Sequence, residues 1–140
     1  MKRHKNKRRC EAGVTLIEML VVVAIIALFV TLVAPNIFKA TDKARITAAQ
    51  TQINNFELGL AQYKLSTGTF PTTDQGLNAL RVKPANVLQW DGPYLKKEIP
   101  NDPWGRPYVY KFPGDHGDEP DIISYGPDGQ PGNDDIASWK

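Results

Sequence analysis

Between Val14 and Ala34 the chain reads VTLIEMLVVVAIIALFVTLVA, 21 residues that are apolar except for two threonines and Glu18. A helix of that length crosses the hydrocarbon core of a bilayer. Three arrangements accommodate such a run. In an ordinary secretory signal, small residues follow the run and cleavage removes it. A plain membrane anchor keeps it but has no use for a carboxylate near its start. In the third arrangement cleavage falls before the run, between Gly13 and Val14, and the apolar helix stays in the product.

Glu18 separates the three. An ionised carboxylate inside a lipid-embedded helix costs about 2.5–3.5 kcal/mol, and unpaired cases are rare. Cleavage after Gly13 makes Glu18 the fifth residue of the product and creates an α-amino group at Val14. The amine of one subunit can then meet Glu18 of its neighbour during assembly.

Charge supports a cut at that point. Lys2, Arg3, Lys5, Lys7, Arg8 and Arg9 precede it against one acid, Glu11. Without the first 13 residues, 11 of the 17 Lys and Arg and 14 of the 15 Asp and Glu remain, a formal charge of −3. An acidic product argues against nucleic-acid binding, and the basic run is read as a signal holding the N-terminus on the cytoplasmic side of a membrane. The single cysteine, Cys10, falls inside this leader. It follows basic rather than apolar residues, unlike a lipoprotein cysteine. The processed chain therefore has no thiol, and a small extracytoplasmic domain without disulfides calls for another staple, such as a metal.

The segment G-V-T-L-I-E behind a basic leader resembles the cleavage signal of type IV pilins and pseudopilins. Val14 stands where that family usually has phenylalanine or methionine. The resemblance implies processing and N-methylation at Val14 by a separate prepilin peptidase, and an assembly role for Glu18.

Beyond Pro35, which is expected to bend the helix or melt it locally, Ile46, Ala49, Ile53, Phe56, Leu60 and Tyr63 recur at steps of three and four. That spacing predicts one buried helical face. Gly68, with Pro71 behind it, predicts the stop. Residues 66–140 are rich in Gly and Pro. A short helical segment is expected over Asp74–Leu80, led by a capping residue, with strands over Tyr108–Phe112, Asp121–Tyr125 and Ile136–Trp139. The expected fold is α+β: a long N-terminal helix packed on a small antiparallel sheet, with an ordered C-terminal loop. The expected organisation is a leader over 1–13, an apolar membrane and filament-core helix over 14–35, and a globular domain over 36–140.

Three stretches narrow the resemblance: FPTTDQGLNAL, GPYLKKEIPNDPWGRPYVY and DIISYGPDGQPGNDDIASW. With the N-terminal segment they look like the major pseudopilins, the G subunits of type II secretion systems, and the whole arrangement is that of a type IV pilin-like fold. The resemblance implies a subunit of a periplasmic pseudopilus that helps export folded proteins across the outer membrane. Its implied partners are further copies of itself through the N-terminal helices, minor pseudopilins, the prepilin peptidase and an inner-membrane assembly platform driven by a cytoplasmic ATPase. Its implied location is the bacterial inner membrane, single-pass, with the globular domain in the periplasm. A type IV pilin for adhesion or DNA uptake, and a membrane-anchored periplasmic domain or enzyme that never polymerises, are the alternatives.

Asp128, Asp134 and Asp135 sit in a Gly/Pro-rich segment. Calcium takes six to eight oxygen ligands, and turn-rich loops converge carboxylates and carbonyls. The spacing is not that of an EF-hand, and taken by itself it is better explained by an acidic solvated turn. The resemblance implies calcium, with Asp128, Asp134 and Asp135 at the acidic ligand positions and the Tyr125 carbonyl at a backbone one. No catalytic constellation is present: His4 and His116 lack Cys or His partners at ligand spacing, and there is no G-x-S-x-G or phosphate loop. The three tryptophans read as packing residues, and Asp102, Trp104 and Arg106 as a structural link from loop to sheet.

Overall fold

In the computed structural model residues 13–140 are described, the side chains of 33–38 excepted. The basic run, His4 and Cys10 of the expected leader lie outside the described residues. The element order is a helix α1 (Leu16–Thr67), a 3-10 turn (Leu77–Leu80), then strands β1 (Val109–Lys111), β2 (Asp121–Ser124) and β3 (Ile136–Ala137). The described residues fall into two compact units that divide between Ala40 and Thr41.

In the first unit α1 begins at a sequence-encoded cap. The Glu18 amide donates to Thr15 Oγ1 at 3.3 Å, and the Met19 amide donates to the Thr15 carbonyl at 3.2 Å. Thr15 thereby satisfies donors that a helix start leaves unpaired. Val14, Leu16, Ile17 and the apolar side chains onward to Leu32 are all exposed. The backbone stays helical through Pro35. Among the described residues no helix is long and apolar enough to cross a membrane; those side chains end at Leu32, short of the full run read from the sequence.

In the second unit the three-and-four spacing decides which face of α1 is covered. Ala49, Ile53, Phe56, Leu60 and Tyr63 are almost fully buried. Ile46, expected on the same face, is 46% exposed, because the core begins one turn later, at Ala49. The helix stops where the sequence predicts. Gly68 takes φ +86, a left-handed conformation that a β-carbon disfavours, and its amide closes on the Lys64 carbonyl at 2.8 Å. Lys64, in the last turn, lays its ammonium over the Phe70 ring at 4.5 Å.

The sheet has order β1-β2-β3 with both pairings antiparallel, Tyr110 opposite Ile122 and Ser124 opposite Ile136. Three strands this short need a second layer to be stable. The helix face supplies it: Phe56 meets Tyr108 edge-on at 5.1 Å, and Ile122, Tyr110 and Ile136 join the same core. Thr72 and Gln75 exchange amide bonds at 3.4 and 3.0 Å, a reciprocal cap that starts a turn rather than the expected helix. Regular structure in that segment is confined to the 3-10 turn Leu77–Leu80. Thr73 bonds both backbone groups of Phe112 at 3.0 Å, and Tyr110 donates to the Pro71 carbonyl at 2.8 Å, so this segment is tied to β1.

Candidate functional site

At the N-terminal end, the residues expected to act together occupy the start of α1. Gly13 and Val14 precede it outside regular structure, Thr15 caps it, and Glu18 lies in its first turn. A carboxylate there faces the positive end of the helix dipole. Glu18 is exposed, among apolar neighbours that are exposed as well. The sequence reading overlooked Thr15, although T-x-x-E ahead of an apolar run is the signature of a capping box.

The C-terminal loop follows β2 and returns as β3. Gly126 and Gly129 take φ +63 and +73, which lets the chain turn back twice within four residues. The Tyr125 carbonyl accepts the Gly129 amide at 3.2 Å and keeps a second lone pair. Asp128 accepts the Gln130 amide at 3.0 Å, and Asp135 Oδ2 accepts the Gly132 amide at 3.0 Å. A β-carbon at Gly126 or Gly132 would lie 3.6 and 3.0 Å from the Asp134 carboxylate, so that side chain occupies space between the two glycine backbones. Lys140 donates to the Asn133 and Asp135 carbonyls at 3.3 and 3.0 Å, fastening the end of the chain to the loop. Asp135 Oδ1 is buried without a hydrogen-bond partner. Leaving a buried carboxylate oxygen unpaired costs about 1–3 kcal/mol. Among the described residues no group of three His, Cys, Asp or Glu side chains is gathered closely enough to hold a metal ion.

The loop leans on the turn that precedes β1. Asp102 is buried and fully engaged: Oδ1 accepts the Trp104 and Arg106 amides at 3.1 and 2.8 Å, and Oδ2 accepts the Ser124 hydroxyl at 2.7 Å. This is the loop-to-sheet link read from the sequence. Burial, and then the Asp102 carboxylate, push the Tyr108 phenol up to about 12. Arg106 goes further than expected and reaches the Pro127 carbonyl at 2.9 Å. On the other side of the sheet, His116 pairs with the buried Asp121 at 2.9 Å and stacks on Trp139 at 3.7 Å. Trp90 packs with Tyr94 and donates to the Ala79 carbonyl at 2.9 Å.

Comparison with known proteins gives a consistent result across the chain. Residues 36–139 match the family described as type II secretion system (T2SS), protein G, and residues 8–34 match the prokaryotic N-terminal methylation motif. A type II secretion system core protein G of Vibrio cholerae serotype O1 is 41% identical, with 96% of each chain covered. The Pseudomonas aeruginosa protein of the same description is also 41% identical, over 95% of this chain and 98% of its own. Among solved structures, the major pseudopilin from the type 2 secretion system of enterohaemorrhagic Escherichia coli matches with a TM-score of 0.63 at 38% identity. That match covers 72% of this chain and 87% of that one.

Proposed function

Since this chain belongs to the protein G family of the type II secretion system, we propose that it polymerises through its N-terminal helix as the major subunit of the pseudopilus. It is a membrane-anchored envelope protein carrying an N-terminal methylation motif. The observation that carries the polymerisation reading is the exposure of every apolar side chain described on α1 from Leu16 to Leu32. A continuous apolar surface of that size is unstable in water, and it demands either lipid or other helices. Before assembly the bilayer meets the demand; within a filament, neighbouring copies do.

The prepilin peptidase cuts between Gly13 and Val14, and the new amine is methylated. Val14 of one copy then pairs with Glu18 of the next, which neutralises a carboxylate held among apolar side chains. The subunit resides in the inner membrane with a single span and a periplasmic globular domain. An inner-membrane platform and a cytoplasmic ATPase drive growth, and minor pseudopilins are further partners.

Calcium is the ion that the chemistry of the C-terminal loop suits, and binding it would have to draw together carboxylates that stand apart in the structure. Its donors are oxygens only, the Asp135 oxygen left buried without a partner asks for a cation, and the Tyr125 carbonyl has a free lone pair. Asp128, Asp134, Asp135 and the Tyr125 carbonyl would hold it. The ion would supply charge neutralisation and would draw the carboxylates together. The role is structural throughout.

The processed chain has no cysteine of its own, so single cysteines introduced along 16–32 report contacts between copies without background. Oxidation in cells assembling pseudopili should yield dimers from pairs placed on facing positions. A processed protein that stays monomeric with every pair would leave only a non-polymerising membrane anchor.

A further inference from the structure

Lys140 extends from a segment that is fixed on two sides. Ser138 continues the pairing of β2 with β3: its amide donates to the Ile122 carbonyl at 3.0 Å, and its hydroxyl accepts the Ile122 amide at 3.1 Å. Trp139 stacks on His116 with ring centroids 3.7 Å apart and planes 9° from parallel. From this base the Lys140 ammonium turns back over the C-terminal loop and donates to the Asn133 and Asp135 carbonyls at 3.3 and 3.0 Å. Three aspartates lie in that loop, yet among the described residues no ion pair joins Lys140 to any of them. Asp128 and Asp134 are exposed, and among the described residues no three acidic groups are gathered closely enough to hold a metal ion. The loop in this conformation does not fit a divalent cation, and the positive charge seated on it belongs to the chain itself.

We infer that Lys140 closes the loop as a tethered cation, its ammonium bridging two loop carbonyls and holding the conformation seen here. The inference goes beyond the calcium reading and stands whether or not that reading holds. Three rotatable donors let one ammonium serve both carbonyls. The bridged carbonyls belong to the residues on either side of Asp134, so the bridge fixes the backbone that carries this carboxylate. A divalent cation beside Asp134 would meet the like charge of the ammonium, and gathering the carboxylates would strain the bridge. Closure by Lys140 and binding of an ion are therefore opposed, and what favours one weakens the other. Lys140 is exposed. Solvent screening and the entropy of a long side chain keep such a contact weak, as a reversible closure requires.

The experiment follows amide exchange of the full chain in detergent and chelator, then titrates calcium chloride by calorimetry. Lys140→Met keeps the reach of the side chain and removes its charge and donors. It should speed exchange of the Gly129, Gln130 and Gly132 amides, all bonded within the loop, by about two- to fivefold, the scale of one exposed charged contact. It should also tighten calcium binding by at least that factor. Lys111→Met removes the same formal charge from an exposed pair with Asp115, and should change neither. A charge acting only at a distance would alter calcium binding and leave exchange in chelator untouched, so unchanged exchange in Lys140→Met overturns the inference. Calcium binding that is unchanged or weaker in that variant overturns it as well. If the unsubstituted chain binds no calcium, the calcium reading fails, and exchange alone decides: a loosened loop upholds closure by Lys140, and an unchanged one overturns it.

Discussion

Gly13 has no described atom within 4 Å of the place where a β-carbon would stand, and it precedes α1 outside regular structure. A larger residue there meets nothing among the described residues, so the effect of substitution is expected in the peptidase that must accommodate it. Gly13→Leu should accumulate full-length precursor in the membrane, and mass spectrometry of the unsubstituted product should find a chain starting at Val14 and carrying one methyl group. A product starting beyond Ala34 would contradict the cleavage proposed here. Glu18 and the cap Thr15 show what single residues disclose: both follow from a short motif, since T-x-x-E before an apolar run sets the helix start as well as the carboxylate. Arg106 was beyond reach by the same means. Its partner is 21 residues away in sequence, and no local pattern announces that a guanidinium will find the Pro127 carbonyl.

At the scale of elements, α1 was readable because its signals repeat: five core positions at helical spacing end at a glycine in the left-handed region. The three strands fell within the expected segments but are shorter; Pro107 and Pro113 stand near the ends of β1, and Pro120 and Gly126 near those of β2. The 72–80 segment became a capped turn and a 3-10 turn because Gly76, at φ +57, interrupts it before a full α-helical turn can propagate. The C-terminal loop is the element whose order depends on charge. Three aspartates fall within eight residues there, and Asp135 Oδ1 is buried with no donor. Binding to the folded form alone should add about 2.7 kcal/mol at a hundredfold excess of calcium over its dissociation constant. The full chain in detergent should accordingly melt about 10–20 °C higher in calcium than in chelator, from about 4–8 °C per kcal/mol for a domain of this size. Asp128→Ala or Asp135→Ala should remove most of that difference, while Asp118→Ala, outside the loop, should not. Equal melting temperatures in both conditions would make the loop an acidic turn with no ion.

For the molecule as a whole, two units with different surface chemistry share one helix: apolar side chains left exposed in the first, and a buried core beneath a polar and charged exterior in the second. The first unit is incomplete without other copies of itself or a bilayer, and that incompleteness is its function. The central claim is that the Glu18 carboxylate meets a neighbour's Val14 amine as copies pass from lipid into filament. Removing one member of a poorly hydrated ion pair strands the other, at a cost of about 3–5 kcal/mol, and the loss recurs at every subunit contact. The direct measurement is filament yield from Glu18→Ala, quantified from sheared pseudopili alongside membrane-fraction blots of the same cells. The variant should be cleaved, inserted and stable in the membrane, yet recovered in filaments at a small fraction of the normal amount. Normal filament yield with normal secretion would contradict the pairing and, with it, the mode of assembly.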